Sequence, residues 1–374
     1  MSGRNIPVAD AIFDDAELDA VTDAVKERAV SGLFGTYIEQ FESEFAQFVG
    51  CRFGVAVSNG TTAIHLALAT LGIGAGDEVL VSSYTNMATF FPVLYCGAVP
   101  VAIDVERDTW NIDNRLIEER ITPRTRAIIV VHIFGHPVDM DPIMEIARRH
   151  DLYVIEDCAQ AHGALYKGRE VGSIGAMSCF SFYANKIITT GEGGMVTTND
   201  PALAEKARSL KSLAYGTTDR FMHEAVGYNY RMTNVQAAIG CAQMRKIEEL
   251  IAGKRRLASE YRQRLSESRC LRLPVERDYA KNVYWMYHVV LEPEAPKARA
   301  QVMTELRARG IESRPGFVPY NMQKIFVEKG IVEPESCPTA NDLARNAFYI
   351  PSSSNISKSD IEYVADSLLA ILKV

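Results

Sequence analysis

A single lysine, set in a loop of threonines and glycines between two strand-like runs, constrains this chain more than any other feature. Residues 177–200 read MSCFSFYANKIITTGEGGMVTTND. Polar and apolar side chains alternate through Cys179, Phe180, Ser181 and Phe182, the period-two pattern of a strand. The run delivers Lys186 into Thr189-Thr190-Gly191-Glu192-Gly193-Gly194, and a second strand follows. A lone lysine ordinarily reads as a solvated surface amine. Here the glycines of the loop let the backbone pass close to a bound group and take positive φ. The competing reading is therefore a Schiff-base lysine, an amine whose pKa burial lowers until it attacks a carbonyl.

The stretch 152–163, LYVIEDCAQAHG, is an apolar strand that ends in an acid and runs on into small residues. A carboxylate at a strand end can keep a pyridine nitrogen protonated, which pyridoxal phosphate needs in order to act as an electron sink. Asp157 lies far enough upstream of Lys186 for one further strand and a crossing loop. Asp then Lys at neighbouring strand ends is the order used by pyridoxal phosphate enzymes of the aspartate aminotransferase fold. A third segment, Ser58-Asn59-Gly60-Thr61-Thr62, follows a short strand at Phe53–Val57 and opens a helix over 63–71. Free N–H groups and hydroxyls at a helix start suit a phosphate. The same residue types are ordinary N-caps.

EDCAQAHGA from Glu156, FSFYANKIITTGEGG from Phe180, SNGTTAIHLAL from Ser58 and GYNYRMTNVQAAIG from Gly227 occur in one chain. With these four motifs the sequence resembles the DegT/DnrJ/StrS family of sugar-nucleotide aminotransferases, from GLFGTYIEQFE at Gly32 to ESRP at Glu312. The resemblance implies an α/β protein of the aspartate aminotransferase type, pyridoxal phosphate fold type I. Its large domain, residues 1–250 with an N-terminal arm, would hold a mainly parallel seven-stranded sheet, and residues 251–374 a smaller α+β domain. The cofactor implied is pyridoxal 5'-phosphate, with Lys186 as its attachment point and proton carrier and Asp157 on its ring nitrogen. Thr61, Thr62 and Ser181 correspond to positions that hold the cofactor phosphate, and Gln160 to one that hydrogen-bonds the ring oxygen. Asn229 corresponds to a residue that reaches across a homodimer interface to the partner's cofactor phosphate; on its own it reads as a turn residue before the helix at Asn234.

Within that family the NKIITTGEGGM and GYNYRMTNVQAAIG runs point to enzymes that use L-glutamate to aminate C4 of GDP-4-keto-6-deoxy-mannose. Amination at C3, or of another nucleotide-linked keto-sugar, stays open. Two departures stand out. Where the family carries a Tyr or Phe that stacks on the cofactor, this chain has Asn86, so either Tyr84 substitutes from a shifted loop or Asn86 contacts the cofactor itself. Gly316-Phe317-Val318-Pro319 lacks a histidine that such enzymes often carry. A related dehydratase has histidine at the Lys186 position, a bare nucleotide-binding module would show no aldimine absorbance band and no shift with glutamate, and a noncatalytic regulator of this fold would lack Asp157 or Lys186. Both are present.

At 374 residues, 47% of them hydrophobic, the chain exceeds what one core usually supports, so two domains are expected. A net charge of −7 gives no bulk basic surface for nucleic acid. Seven cysteines without a CxxC pair read as reduced thiols of a cytoplasmic protein. No secretory h-region and no apolar run of membrane-spanning length occur. His132, His136 and His162 do not have the spacing of a metal set, and neutral hydrogen-bonded rings are expected. No GxxxxGK[ST] loop occurs, and Gly72, Gly74 and Gly76 lack the dinucleotide spacing.

An amphipathic first helix is expected from Asp14 or Asp15 to Gly32, and a helix bearing Phe41, Phe45 and Phe48 in the core. Short β-branched runs alternating with helices mean a mostly parallel sheet covered on both faces. One long helix over 235–251 is expected to continue into Lys254-Arg255-Arg256, a solvated face bridging to the second domain. That domain should hold a strand over 285–291 and a last helix at Lys358–Leu372. Arg314 faces either substrate phosphates or an exposed ion pair, and the polar run 216–220 reads as a mobile loop.

Overall fold

The apolar runs of the first two hundred residues become strands, and the order in which they pair decides where a ligand can bind. The computed structural model describes residues 4–373 except 217, 218, 220 and 224, so most of the loop expected at 216–220 lies outside the described residues. In chain order the strands are β1 (Phe53–Val57), β2 (Glu78–Ser82), β3 (Val99–Ile103), β4 (Thr125–Val131), β5 (Tyr153–Asp157), the short pair β6 (Leu165–Tyr166) and β7 (Arg169–Glu170), then β8 (Met177–Ser181) and β9 (Gly194–Thr198). Seven of them form the main sheet in the order β1-β9-β8-β5-β4-β2-β3. Strand β9 is antiparallel to both neighbours, while β8, β5, β4, β2 and β3 pair in parallel. The carboxyl ends of β1, β2, β5 and β8 therefore share one edge, where ligands of open α/β sheets gather. The β8–β9 loop, with Lys186, returns to that same edge.

Successive side chains of a strand face opposite ways, and both faces are buried here. Ala56, Ile128, Val130 and Phe180 join one core, while Val55, Val57, Ala127, Ile129 and Cys179 join the other. Helices α1 (Asp15–Lys26), α2 (Tyr37–Val49), α3 (Gly60–Leu71), α4 (Met87–Tyr95), α5 (Met140–His150), α6 (Pro201–Lys211) and α7 (Asn234–Met244) supply the cover. Phe41 and Phe45 of α2 are fully buried on the first face, and Leu66 and Leu68 of α3 on the second. Each such side chain is worth about 1.5–3 kcal/mol of burial. Phe48 is only half-buried at the rim.

The long helix expected over 235–251 is two helices, α7 and α8 (Ile247–Leu265). The helix breaks at Lys246, whose backbone leaves the helical range (φ −117°), and whose Nζ pairs with Asp14 (2.8 Å) and Glu17 (2.7 Å) of the arm. Gln243 also donates to the Ile12 carbonyl at 2.9 Å. The expected domain division at 250/251 falls inside α8, whose Leu250 and Ile251 belong to the large core and whose Leu257, Tyr261 and Leu265 belong to a separate one. That second core is built on β10 (Leu271–Arg272), β12 (Tyr287–Leu291), β13 (Arg314–Pro315) and β14 (Ala347–Ile350), while β11 (Ala280–Lys281) joins β6 and β7 in a ribbon. Helices α9 (Arg299–Ala308) and α12 (Lys358–Leu372) complete it, whereas α10 (Lys324–Val327) and α11 (Pro338–Asn346) pack Phe326, Ala340 and Leu343 into the cores of the main sheet. The arm spans both regions: α1 packs on α7, whereas Ile6 exchanges hydrogen bonds with Gly310 and Glu312.

Two expectations for the bridge are overturned. The strand expected at 285 begins at Tyr287, because Trp285 N–H is committed to the Phe134 carbonyl (2.9 Å) and its own carbonyl to Lys254. Of Lys254-Arg255-Arg256, only Arg256 is the exposed side chain expected. Lys254 is 3% exposed and donates to the carbonyls of Trp285 (2.9 Å) and Ser352, while Arg255 pairs with Glu276. Burial pushes the Lys254 ammonium down to about 7. The unfolded chain would hold that proton until about pH 10.4, so stability rises with pH between about 7 and 10, by up to about 1.4 kcal/mol per pH unit. Lys254→Met removes this slope. Calorimetry at pH 7 and 9 should find the native chain gaining on the variant as pH rises; parallel pH dependences would contradict it.

Among the described residues no helix is long and apolar enough to cross a membrane. All seven cysteines are free thiols, four of them buried.

Candidate active site

At the edge where β1, β2, β5 and β8 end, a cavity of about 530 Å³ opens between the main sheet and the smaller layer. Thr61, Thr62, Asn86, Asp157, Gln160, Ser181 and Lys186 all line it, so of the site residues expected from sequence only Asn229 stands apart. Asp157, the last residue of β5, accepts from the Thr89 hydroxyl at 2.8 Å and from Ala159 N–H at 3.1 Å. Burial pushes its carboxyl up, while those two donors and the charge of Lys186 pull the other way. The alternation of β5 sends its neighbour Glu156 to the opposite face. There it accepts from His132 Nε2 (3.1 Å), from the N–H groups of Gly172, Ile174 and Gly175, and from Ser178. Burial works against that carboxylate, yet these donors outweigh it and hold it below the usual range.

His132, Glu156 and Cys158 place three possible ligand atoms within 4.8 Å. Val138 N–H donates to His132 Nδ1 at 3.0 Å, Glu156 is saturated, and burial drives the Cys158 thiol well up. His132 and Glu156 are a hydrogen-bonded pair beside Asp157, with the Cys158 thiol packed against them. His136 is likewise a buried ring, pushed down to about 4 and hydrogen-bonded to Pro137 O. His162, pushed down to about 3, packs among Phe45, Phe180 and Phe182.

Lys186 is held by its own loop. Its N–H bonds to Tyr183 O and Thr190 N–H to Phe182 O, both at 2.9 Å, and the Thr189 hydroxyl donates to Phe182 O. The Nζ stands 4.0 Å from the centre of the Trp285 ring, and the indole N–H donates to Asn185 O at 2.7 Å. The side chain is reachable from the cavity but crowded by protein, and burial lowers its pKa to about 8 against the opposing charge of Asp157.

The start of α3 forms a second corner. Asn59 caps it, accepting from Thr62 N–H at 2.9 Å, and the Thr62 hydroxyl is spent on Asn59 in return. That leaves the Thr61 and Ser181 hydroxyls and the first helical N–H groups for an anion. A Cβ on Gly60 would stand 2.8 Å from Ser181 Cβ. Gly60→Ala should therefore close this corner and weaken cofactor binding about tenfold or more, read by titrating the cofactor-free protein and following tryptophan fluorescence. Unchanged affinity would contradict the assignment.

Of the alternatives at the cofactor face, Tyr84 is excluded. It is fully buried, bonds His288 through its hydroxyl (3.0 Å) and does not line the cavity. Asn86 does line it, while its side chain caps α4 by accepting from Ala88 N–H at 2.9 Å. Gln160 accepts from Phe134 N–H at 2.6 Å through its carbonyl oxygen, so its NH₂ is the polar group it offers the cavity. Asn229 is exposed, bridged to Ser212 and outside the cavity. Arg314 is in an exposed pair with Glu312 at 2.6 Å. Sequence reasoning missed Thr89, Trp285, Phe317 and Tyr349, which also line the cavity. Only Thr89 had a legible signal, a hydroxyl in the first turn of α4.

A buried amine facing a carboxylate, with a hydroxyl-rich helix start beside them, is a donor set that fits pyridoxal phosphate. Residues 12–369 match the family described as DegT/DnrJ/EryC1/StrS aminotransferases. The chain is 42% identical to the GDP-perosamine synthase of Caulobacter vibrioides and 37% identical to that of Escherichia coli O157:H7, each alignment covering 98% of both chains. Among solved structures, S. venezuelae DesV superimposes with a TM-score of 0.91 at 33% identity, over 99% of this chain and 100% of that one.

Proposed function

The chain belongs to the DegT/DnrJ/EryC1/StrS aminotransferase family and is a pyridoxal-phosphate-dependent aminotransferase, and from that premise we propose that it aminates C4 of GDP-4-keto-6-deoxy-D-mannose with L-glutamate as donor, giving GDP-perosamine. The observation that carries the choice of sugar is identity of up to 42% to GDP-perosamine synthases along nearly the whole length of both chains. When bound, the cofactor supplies an aldehyde carbon that passes the amino group between substrates and a ring nitrogen that draws electrons from the bond being broken.

Each role we assign to a side chain follows from its setting. Lys186 Nζ is the amine that would hold the aldehyde carbon and carry the proton to and from the substrate carbon; a pKa near 8 keeps more of it as free base at neutral pH than a solvated lysine would have. Asp157 keeps a proton on the ring nitrogen, its orientation fixed by Thr89 and Ala159. Gln160 donates its NH₂ to the ring oxygen. The Thr61 and Ser181 hydroxyls and the start of α3 take the phosphate, with Thr62 shaping that turn. Asn86, which lines the cavity, would contact the ring.

We further assign the active form to a homodimer in which Asn229 reaches the partner copy's cavity. In support, Asn229 misses its own cavity and exposed Leu33, Phe34, Phe221, Met222 and Val226 offer apolar surface. We take the reaction to run in the cytoplasm, a reading that the seven free thiols support. The test is incubation with L-glutamate and a panel of GDP- and dTDP-linked keto-sugars, reading 2-oxoglutarate and the position of the new amine. Turnover of the GDP-linked 4-keto sugar is expected; preference for a dTDP-linked or 3-keto substrate would overturn the assignment.

A further inference from the structure

The cavity has two unlike walls. The polar wall, from the main sheet, is accounted for by the roles above, and Trp285 is occupied beneath Lys186. Phe317 and Tyr349 remain, half-buried aromatic rings on the opposite side that none of those roles uses. Phe317 is not loose: it stacks on Phe134 (ring centres 5.4 Å, 16° between planes) and meets Tyr84 edge-on at 6.0 Å. Phe134 is itself pinned at φ +50°, its N–H on Gln160 and its carbonyl on Trp285 N–H. Strained backbone of this kind persists only where its surroundings over-determine it.

Gly316 sets the height of this wall. Its φ is not in the left-handed region, so the glycine answers to space. A Cβ there would stand 2.2 Å from the Tyr84 hydroxyl and 3.1 Å from Ala347 Cβ. The tyrosine has no room to yield, since it is fully buried and its hydroxyl is bonded to His288. The two sequence departures, at the Tyr84–Asn86 turn and at residues 316–319, therefore meet at one point in space.

We propose that Tyr84, Gly316 and Phe317 form one steric unit that seats the Phe317 ring as the platform for the sugar, selecting a 6-deoxyhexose by packing its apolar face and methyl group. This rests on the function proposed above. An aromatic face gains from C–H surface, whereas a hydroxyl pressed against it loses water without finding a partner. Tyr84 and Gly316 act as positioning residues; Phe317 touches the substrate.

The test compares the native chain with Gly316→Ala, Tyr84→Phe, the double variant and Phe317→Ala. Gly316→Ala should raise KM for the GDP-linked keto-sugar about tenfold, while the glutamate half-reaction, read from the cofactor spectrum, changes less than about twofold. Adding Tyr84→Phe removes the clashing oxygen and should return KM to within about threefold of Tyr84→Phe alone. Phe317→Ala should cut the preference for a 6-deoxy over a 6-hydroxy keto-sugar by about tenfold with kcat on glutamate kept. A double variant as impaired as Gly316→Ala, or Phe317→Ala slowing both half-reactions alike, overturns the proposal. Melting temperatures of the first four proteins read the steric coupling without substrate: a non-additive cycle supports it and an additive one overturns it, even if no GDP-linked sugar is turned over and the functional reading itself fails.

Discussion

Lys186→Ala leaves a protein that folds, takes up the cofactor and transfers no amino group, with kcat reduced by about 10⁴-fold or more. The size follows from what is lost together, the covalent hold on the aldehyde carbon and the one lysine among the described residues that lines the cavity and could carry the proton in either direction. Folding should survive because the loop is held by backbone bonds of Tyr183, Phe182 and Thr190 and by the Thr189 hydroxyl, none of which involves the lysine side chain. Borohydride reduction followed by peptide mass analysis should mark residue 186 in the native holoprotein and no residue in the variant. Lys186→Arg should fail equally, since a guanidinium keeps its proton. Retained turnover, or a label on another lysine, would place the chemistry elsewhere.

Asp157→Asn should lower kcat in both half-reactions by about 10³-fold while the cofactor still binds, because an amide of the same shape cannot keep a proton on the ring nitrogen. The variant separates a catalytic role from a structural one through the sign of its effect on stability. Burial raises the Asp157 pKa, so the folded carboxyl binds its proton more tightly than the unfolded one. Its contribution is favourable below the unfolded pKa and is lost as pH rises through the folded one, so near pH 7 the carboxylate is a burden on the empty protein. The cofactor-free variant should therefore melt no lower than the native chain at neutral pH. A large drop in melting temperature would mean that Asp157 serves the fold.

The sequence was most informative where one local rule sufficed. Asn59 before a helix, alternation into Ser181, and an acid closing an apolar strand each placed a residue at the right edge, and parallel pairing then gathered them. What escaped was set by long-range contact. Lys254 sits in a run of three basic residues and reads as surface; only the path of α8 into the junction turns it inward onto Trp285 and Ser352. Tyr349 comes from the small sheet and Trp285 and Phe317 from the segments flanking its strands, more than a hundred residues from Asp157, and nothing local marks them as cavity residues. Tyr84 looked available for the cofactor face because its partner His288 is invisible in a linear reading. The break between α7 and α8 escaped as well, since no glycine or proline marks the turn at Lys246.

The bonds of Ile6 to Gly310 and Glu312 have a consequence for how the molecule is made. The opening residues must wait for nearly the whole chain to leave the ribosome before they find their place, while α1 can dock as soon as α7 emerges. Such distant closures are slow, so the emerging polypeptide should complete the lysine loop and the acid at its strand end well before the aromatic side of the pocket exists. A nascent chain stalled short of residue 310 would carry the reacting groups with nothing to select what reaches them.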